Sequence, residues 1–435
     1  MGGGERPLET MERLKRDAGK TGKTGRLLKR VAGDSIWSIA GLTLMNLTAQ
    51  FAIYPLWNRQ LGNEKYGRIL FLIAAMNILA VSMGSACNYG RMKESTVGKT
   101  GNRIYRNILT ATSLAGILYI AAVCLLADQG VTLTEGILLA VLTVATLWRY
   151  YADVGYRLSL DYKRFFFYYL TISIGYGIGA LMFLKTGLWP LALLPGEIMG
   201  VALVYFRGSV LRGEGEQEPE PAGQKALIRV VLTLFLTEVI SNLIFNGDRL
   251  LLNLLEDGEA VSLYYQASLL GKTMSLIATP MNSVLIGYLS RYGGKLDRKI
   301  MGLVTGAAAG GLAAATVACT LASHILIRLL YPQNYELVRQ YFWQANCAQA
   351  AFFLSNIAAT VLLRYCRVRY QMYINIVYAA LFMALCIPGT LLRGLPGFCL
   401  ALLGVCVLKL GFVLALGWRT AITGKGMAAE AGSIG

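Results

Sequence analysis

The sequence is poor in charge. Of 435 residues only 15% are Asp, Glu, Lys or Arg, while 55% are hydrophobic; soluble domains carry about 25% charged residues. So little charge cannot keep such a chain in water by folding alone, and a mean hydropathy of +0.52 agrees. Other shortages narrow the chemistry. His324 is the single histidine, which excludes a histidine relay or a multi-histidine metal site. No Asp-x-Asp pair is present to hold a nucleotide-sugar cation, and no Gly-x-Ser-x-Gly carries a nucleophile. The eight cysteines are scattered through apolar runs without a Cys-x-x-Cys spacing, the pattern of small buried thiols rather than of ligands or disulfides. Loops between apolar runs are too short to form a catalytic domain. Neither an enzyme, a metal nor a cofactor is expected.

What is abundant is long apolar runs. Helical spans of a bilayer need about 20 such residues, whereas barrel strands show about ten alternating ones, so an all-α polytopic membrane protein is expected. About twelve spans fit, near 34–58, 66–90, 104–127, 135–156, 165–185, 188–206, 227–248, 261–289, 300–323, 340–363, 371–392 and 396–418. Their connections fall into two sets. One holds Arg91, Lys93, Lys99 and Arg103, then Lys163 and Arg164, Arg207, Arg212 and Lys225, Arg291 to Lys299, Arg364 to Arg369, and Arg419 with Lys425. The other holds Asp128, Glu135, Lys185, Glu256, Asp257, Glu259, Glu336 and a few arginines. Lys and Arg accumulate on cytoplasmic loops, so both termini are placed in the cytoplasm. The net charge of +17 is thereby explained without nucleic acid.

Residues 1–32 form a basic, Gly-rich tail, expected to stay cytoplasmic and to lie near anionic lipid, where each basic residue contributes about 1 kcal/mol. Within it Gly19–Gly25 reads GKTGKTG. A phosphate loop needs a glycine five positions before its Gly-Lys-Thr; Leu14 and Asp17 stand there instead. The Gly-, Glu- and Pro-rich stretch 207–226 has the composition of a flexible linker. It divides the chain into six spans at 33–206 and six at 227–418, with a C-terminal tail at 419–435.

The halves begin alike. Trp57–Met76 carries Arg59, the turn Gly62-Asn63-Glu64-Lys65 and a new apolar run. About 195 residues later Asn246–Leu270 carries Asp248, Arg249, the turn Glu256-Asp257-Gly258-Glu259 and another run. Internal repeats of this kind occur in transporters, with the substrate at the repeat interface. Gly175-Gly179 and Gly302-Gly306-Gly310 have the spacing of close helix contacts. Pro55, Pro195, Pro280 and Pro388 lie inside spans and predict kinks.

Ionisable residues at membrane depth are functional candidates by default. They are Glu197, Glu238, Lys272, Lys409 and the i, i+4 couple Arg149 and Asp153, with Arg59, Asp248 and Arg249 near outer span ends. Arg59, Arg249 and Lys272 can form a cationic site for a diphosphate, since the guanidinium fork bonds two oxygens at once; both arginines can equally snorkel to the interface. Glu197, Glu238 and Asp248 are coupling or cavity-lining candidates. Lys272 and Glu238 can pair with each other, Arg149 with Asp153, and Lys409 can snorkel inward. The aromatic patches Phe165–Tyr169 and Tyr264-Tyr265 read as interfacial belts.

Three stretches, QLGNEKYGRILFLIAAMNIL (Gln60–Leu79), GDRLLLNLLEDGEAVSLYYQASLL (Gly247–Leu270) and ILIRLLYPQNYELV (Ile325–Val338), resemble in order and spacing bacterial polysaccharide flippases of the multidrug/oligosaccharidyl-lipid/polysaccharide exporter superfamily. The resemblance covers about 34 to 418, with Pro332-Gln333 departing from the usual glycine. It implies two six-helix bundles around a central cavity in the bacterial cytoplasmic membrane. By alternating access these would move a polyprenyl-diphosphate-linked oligosaccharide, with Arg59, Arg249 and Lys272 as its contacts. Membrane lipids and glycan polymerase or ligase proteins would be its partners. A drug/cation antiporter of the same superfamily would instead rely on Glu197 and Glu238. A membrane-bound glycan-assembly enzyme lacks its motifs here, and flippases of the peptidoglycan lipid precursor usually carry about two further helices.

Overall fold

A computed structural model describes residues 36–37, 39–95, 102–126, 130–159, 161–207, 210–211, 221–291, 297–363 and 369–423. The basic tail with its Gly19–Gly25 motif, much of the 207–226 linker and residues 424–435 of the C-terminal tail lie outside them, and so do the side chains near Pro280.

Among the described residues every regular element is helical. That follows from the solvent, because lipid offers no partner for a backbone amide and each apolar run must bond within itself. The first span runs from Ile39 through a π-helical stretch, Thr48–Ile53, into α1, Tyr54–Ser95. Pro55 stands one residue beyond the π stretch, after Tyr54, so its ring crowds the Phe51 carbonyl inside that stretch and it offers no N–H to it. Gly62 interrupts α1 at φ 80°, ψ 172° and separates spans one and two. Next come α2 (Asn102–Leu126), α3 (Leu133–Ala152), α4 (Val154–Ser159), α5 (Tyr162–Thr186) and α6 (Leu194–Arg207). In the second half are α7 (Pro221–Leu255), α8 (Gly258–Arg291), α9 (Arg298–Leu330), the short α10 (Tyr335–Val338), α11 (Phe342–Leu363) and α12 (Arg369–Thr423). Gly394, at φ 61°, divides α12 into spans eleven and twelve.

Among the described residues eight helices are long and apolar enough to cross a membrane. Two of these are span pairs broken at Gly62 and Gly394, and α6 with α8 fill the remaining places, so the all-α polytopic class and the order of spans hold. Span six is shorter than expected. At 14 residues, α6 rises about 21 Å against a hydrocarbon core of about 30 Å, and a 3₁₀ turn, Trp189–Ala192, precedes it. Pro195 is the second residue of α6. It opens the helix, where its missing N–H costs nothing, instead of kinking it.

Helix starts are set by polar caps. Thr132 and Glu135 form a reciprocal capping box on α3. The Asp161 carboxylate accepts from the Arg164 N–H and the Asp297 carboxylate from the Ile300 N–H, capping α5 and α9.

By contacts the chain separates into two compact units. The first combines Leu72–Gly247 with the segment ending at Trp57; the second combines Asn58–Phe71 with the segment starting at Asp248. In the first unit Gly175 and Gly179 of α5 lie so close to Gly196 and the Leu191 and Ala192 carbonyls that any Cβ would overlap backbone. That is the close approach their spacing predicts. The Gly302, Gly306 and Gly310 triplet meets nothing among the described residues, so its spacing marks no packing seam there. In the second unit α11 and α12 pack through Ala358, Ala359, Leu362, Ile374 and Val413.

The turns of the two hairpins, within Asn58–Phe71 and from Asp248 onward, share the second unit, where they touch. A Cβ on Gly67 would run into the Gly258 carbonyl. The Glu259 N–H donates to Glu64 Oε2 at 3.2 Å, across the repeat offset of 195 residues.

Candidate functional site

Among the described residues the second unit buries four charged side chains, Asp248, Arg249, Lys272 and Lys409. Asp248 and Arg249, near the end of α7, face Lys272 on α8. All three are buried, at 5%, 7% and 6% exposure, and Lys272 Nζ forms an ion pair with Asp248 Oδ2. Lys272 therefore takes Asp248 as its partner, not Glu238. The reason is placement: Lys272 and Asp248 lie in the same unit, while Glu238 lies in the other. The Arg249 guanidinium stacks 4.8 Å from the Tyr265 ring centroid, and its buried Nε has no hydrogen-bond partner among the described residues. A donor left so in hydrocarbon is costly, and an incoming oxyanion would satisfy it. Around α8, Gln349 donates to Tyr264 Oη (3.2 Å), and the Gly271 N–H donates to Asn346 Oδ1 (3.0 Å).

Lys409 does not snorkel. At 2% exposure its ammonium donates to Asn356 Oδ1 at 2.8 Å and sits over the Phe352 and Tyr378 rings, 3.9 and 4.8 Å from their centroids. It makes no ion pair among the described residues. Neutral oxygen and π faces hold the charge in place.

Arg59 does something else. Its Nη2 donates to the Leu329 carbonyl (2.9 Å) and its Nε to the Leu330 carbonyl (3.3 Å). It thus caps the last turn of α9, whose carbonyls have no intrahelical partner and carry the negative end of the helix dipole. The structure joins Arg249 with Lys272 and commits Arg59 to this cap.

Beside that cap lies a cluster that sequence reading missed. Asn334 Nδ2 donates to Asn58 Oδ1 (3.0 Å), Asn63 Oδ1 (2.6 Å) and Gln266 Oε1 (3.1 Å). Asn63 Nδ2 returns a bond to Asn334 Oδ1 (2.9 Å), and Gln266 Nε2 reaches Ser262 Oγ (2.9 Å). Tyr66 and Tyr331 share a buried hydroxyl pair at 3.2 Å. All three stretches that carry the family resemblance meet here. The available signal was the amide in each, Asn63, Gln266 and Asn334, with Asn58 two residues before the first stretch.

Two buried sets in the first unit pair their charge. Arg149 Nε bonds Glu197 Oε2 at 2.7 Å, with both side chains buried, and Tyr176 donates to Glu197 Oε1 at 2.6 Å. Asp153 accepts from Arg157 (3.1 Å), Tyr169 Oη (2.9 Å) and Asn88. The expected Arg149–Asp153 couple is thus replaced by Arg149–Glu197 and Asp153–Arg157. The two readings share a spacing, since Arg157 lies four residues beyond Asp153, on the side away from Arg149. Tyr168 and Tyr169 lie in this network, not at an interface; Phe165, Tyr264 and Tyr265 are buried too. Of the Phe165–Tyr169 patch, Phe167 is strongly exposed, at 59%. Glu238, on α7, is half-buried, and its carboxylate makes no hydrogen bond or ion pair among the described residues.

The architecture, helices broken at Gly62 and Gly394 over twelve spans, matches solved transporters. The lipid II flippase MurJ in an inward closed conformation is similar over 89% of this chain and 90% of its own, with a TM-score of 0.67 and 13% identity. An inward-facing multidrug resistance MATE family transporter of the MOP superfamily matches with a TM-score of 0.66 at 12% identity, covering 90% of this chain and 100% of the other. A MATE crystal structure in the straight conformation matches at 0.59 and 13%, over 91% and 97%. No protein-family model and no curated protein matches the sequence. At such identities the likeness speaks for the fold. A tenth of the MurJ chain lies outside the match.

Proposed function

We propose that the protein moves a polyprenyl-diphosphate-linked oligosaccharide across the bacterial cytoplasmic membrane by alternating access. One observation carries this reading: among the described residues at membrane depth in the second unit, the buried cations Arg249, Lys272 and Lys409 outnumber the one buried carboxylate, Asp248. A cation drawn into that environment would be repelled, whereas a diphosphate would be attracted. In the resting arrangement Asp248 neutralises Lys272. The substrate diphosphate displaces that carboxylate, takes Lys272 as a point charge, and uses the open Nε of Arg249 for the forked contact that guanidinium makes with phosphate. Glu197 and Asp153 of the first unit support the same reading, because both already hold arginines.

The second reading, a drug/cation antiporter, is favoured by one group. Glu238 is a half-buried carboxylate with no partner among the described residues, placed to carry a proton or a cation. Deleting the protein separates the two. Flipping of the lipid-linked glycan requires that the glycan accumulate on the inner leaflet after deletion. New drug sensitivity without accumulation would instead establish the antiporter.

A further inference from the structure

The first unit holds a cleft that neither the polar networks nor the transport reading uses. It lies between the first turns of α2, the second half of α3, and α6, with a volume of about 540 Å³. Its walls include Val144, Trp148, Val201, Phe206 and Leu211, and among the described residues the one charged group on it is Arg106. The Trp148 indole N–H donates to Ser113 Oγ at 3.0 Å, so this ring offers the cleft its carbon face. Arg106 is exposed, and its guanidinium makes no ion pair or hydrogen bond among the described residues. The cleft therefore has an apolar body and a single unpaired cation.

We propose that this cleft binds the hydrocarbon chain of an anionic phospholipid, whose headgroup phosphate is held by Arg106. Three observations select that occupant. The volume lies within the range of about 300–1,000 Å³ typical of small-ligand sites, and it suits a thin chain better than a helix about 10–12 Å across. The wall is hydrocarbon from Val141 to Leu211 apart from the Tyr205 hydroxyl, so a lipid tail loses no hydrogen bond on entering. Finally, Arg106 sits where α2 begins and α6 ends, the end of the unit that carries Arg103 and Arg207. Positive residues concentrate there, and anionic lipids concentrate in the cytoplasmic leaflet.

The test uses the whole protein in phosphatidylcholine vesicles containing a minor fraction of phosphatidylglycerol brominated along its chains. Bromine quenches tryptophan on contact, and the Trp148 component is the difference between the native chain and Trp148→Phe. Brominated phosphatidylglycerol is expected to quench that component several-fold more than brominated phosphatidylcholine at the same fraction. Arg106→Gln, a change at an exposed and unpaired residue, should abolish the preference while leaving the protein monodisperse. Ala202→Phe, which fills the cleft, should lower quenching by both lipids. Equal quenching by the two lipids in the native chain would mean ordinary boundary lipid and would overturn the proposal, as would a preference that survives Arg106→Gln. Quenching by neither lipid would overturn it in favour of a protein occupant.

Discussion

Replacing Lys272 with alanine leaves the Asp248 carboxylate, 5% exposed, without its ion-pair partner in a segment surrounded by hydrocarbon. Removing one member of a buried pair costs about 3–5 kcal/mol, because the surviving charge stays desolvated, whereas removing both can be nearly neutral. Lys272→Ala and Asp248→Ala are each expected to lose stability on this scale, and the double variant to recover most of it. The expected coupling in the double-mutant cycle is then at least about 3 kcal/mol, well above the roughly 0.3–0.5 kcal/mol scatter of independent sites. Unfolding of the purified protein in detergent, followed by tryptophan fluorescence, measures it. Transport gives a second and independent readout. If Lys272 contacts the diphosphate, the double variant regains stability but not glycan flipping. Single variants within about 0.5 kcal/mol of the native chain, or costs that simply add, would refute the pairing argument. A double variant of Lys272 and Arg249 that still exports lipid-linked oligosaccharide would refute the binding assignment.

Gly67→Ala should destabilise by about 1–3 kcal/mol through overpacking, since its new methyl meets the Gly258 carbonyl; thermal unfolding checks this. The contrasting change Gly62→Ala, with open space around it but φ +80°, should cost about 1–2 kcal/mol from backbone strain alone, so a relief of Gly67→Ala by lengthening the Glu256–Gly258 turn, with no such relief for Gly62→Ala, distinguishes contact from strain. Asn334→Leu removes the donor to Gln266 Oε1 and the acceptor of Asn63 Nδ2, while Asn58 Oδ1 and Asn63 Oδ1 keep Gln333 and Asn58 as donors; it should cost about 1–3 kcal/mol for each group left fully unsatisfied and raise hydrogen exchange at the start of α8. Lys409→Met keeps the bulk and deletes a buried charge that has no described carboxylate, so stability should hold or rise, as read by the unfolding midpoint in detergent.

Much of the fold was legible because bilayer physics leaves few choices. Apolar runs between Ile39 and Ile422 had to be helices, and breaks could fall only where a turn was chemically possible, as at Gly62 and at Glu256–Gly258. The candidate site was legible as a set of residues but not as a set of pairs. Arg149 and Asp153 are four apart and could have bonded, yet Glu197 lies closer to Arg149 once Gly175 and Gly179 let α6 settle against α5. Lys272 was assigned either a substrate or Glu238, and Asp248, 24 positions before it, was its partner. The amide cluster around Asn334 was invisible because no single asparagine in a hairpin or turn is unusual.

The sequence by itself determined the class, the number and order of the spans, the repeat of hairpins at an offset of about 195 residues, and the residues whose charge must be accounted for in lipid. These follow from transfer free energies, which each residue carries wherever it is placed. Only the tertiary structure decided that Lys272 answers Asp248, that Arg59 closes a helix end, that Lys409 rests on aromatic rings, and that three distant stretches meet at one knot of amides. Those outcomes depend on how each helix is rotated and how near its neighbour comes. That is set by the packing of many side chains together, and no local stretch contains it.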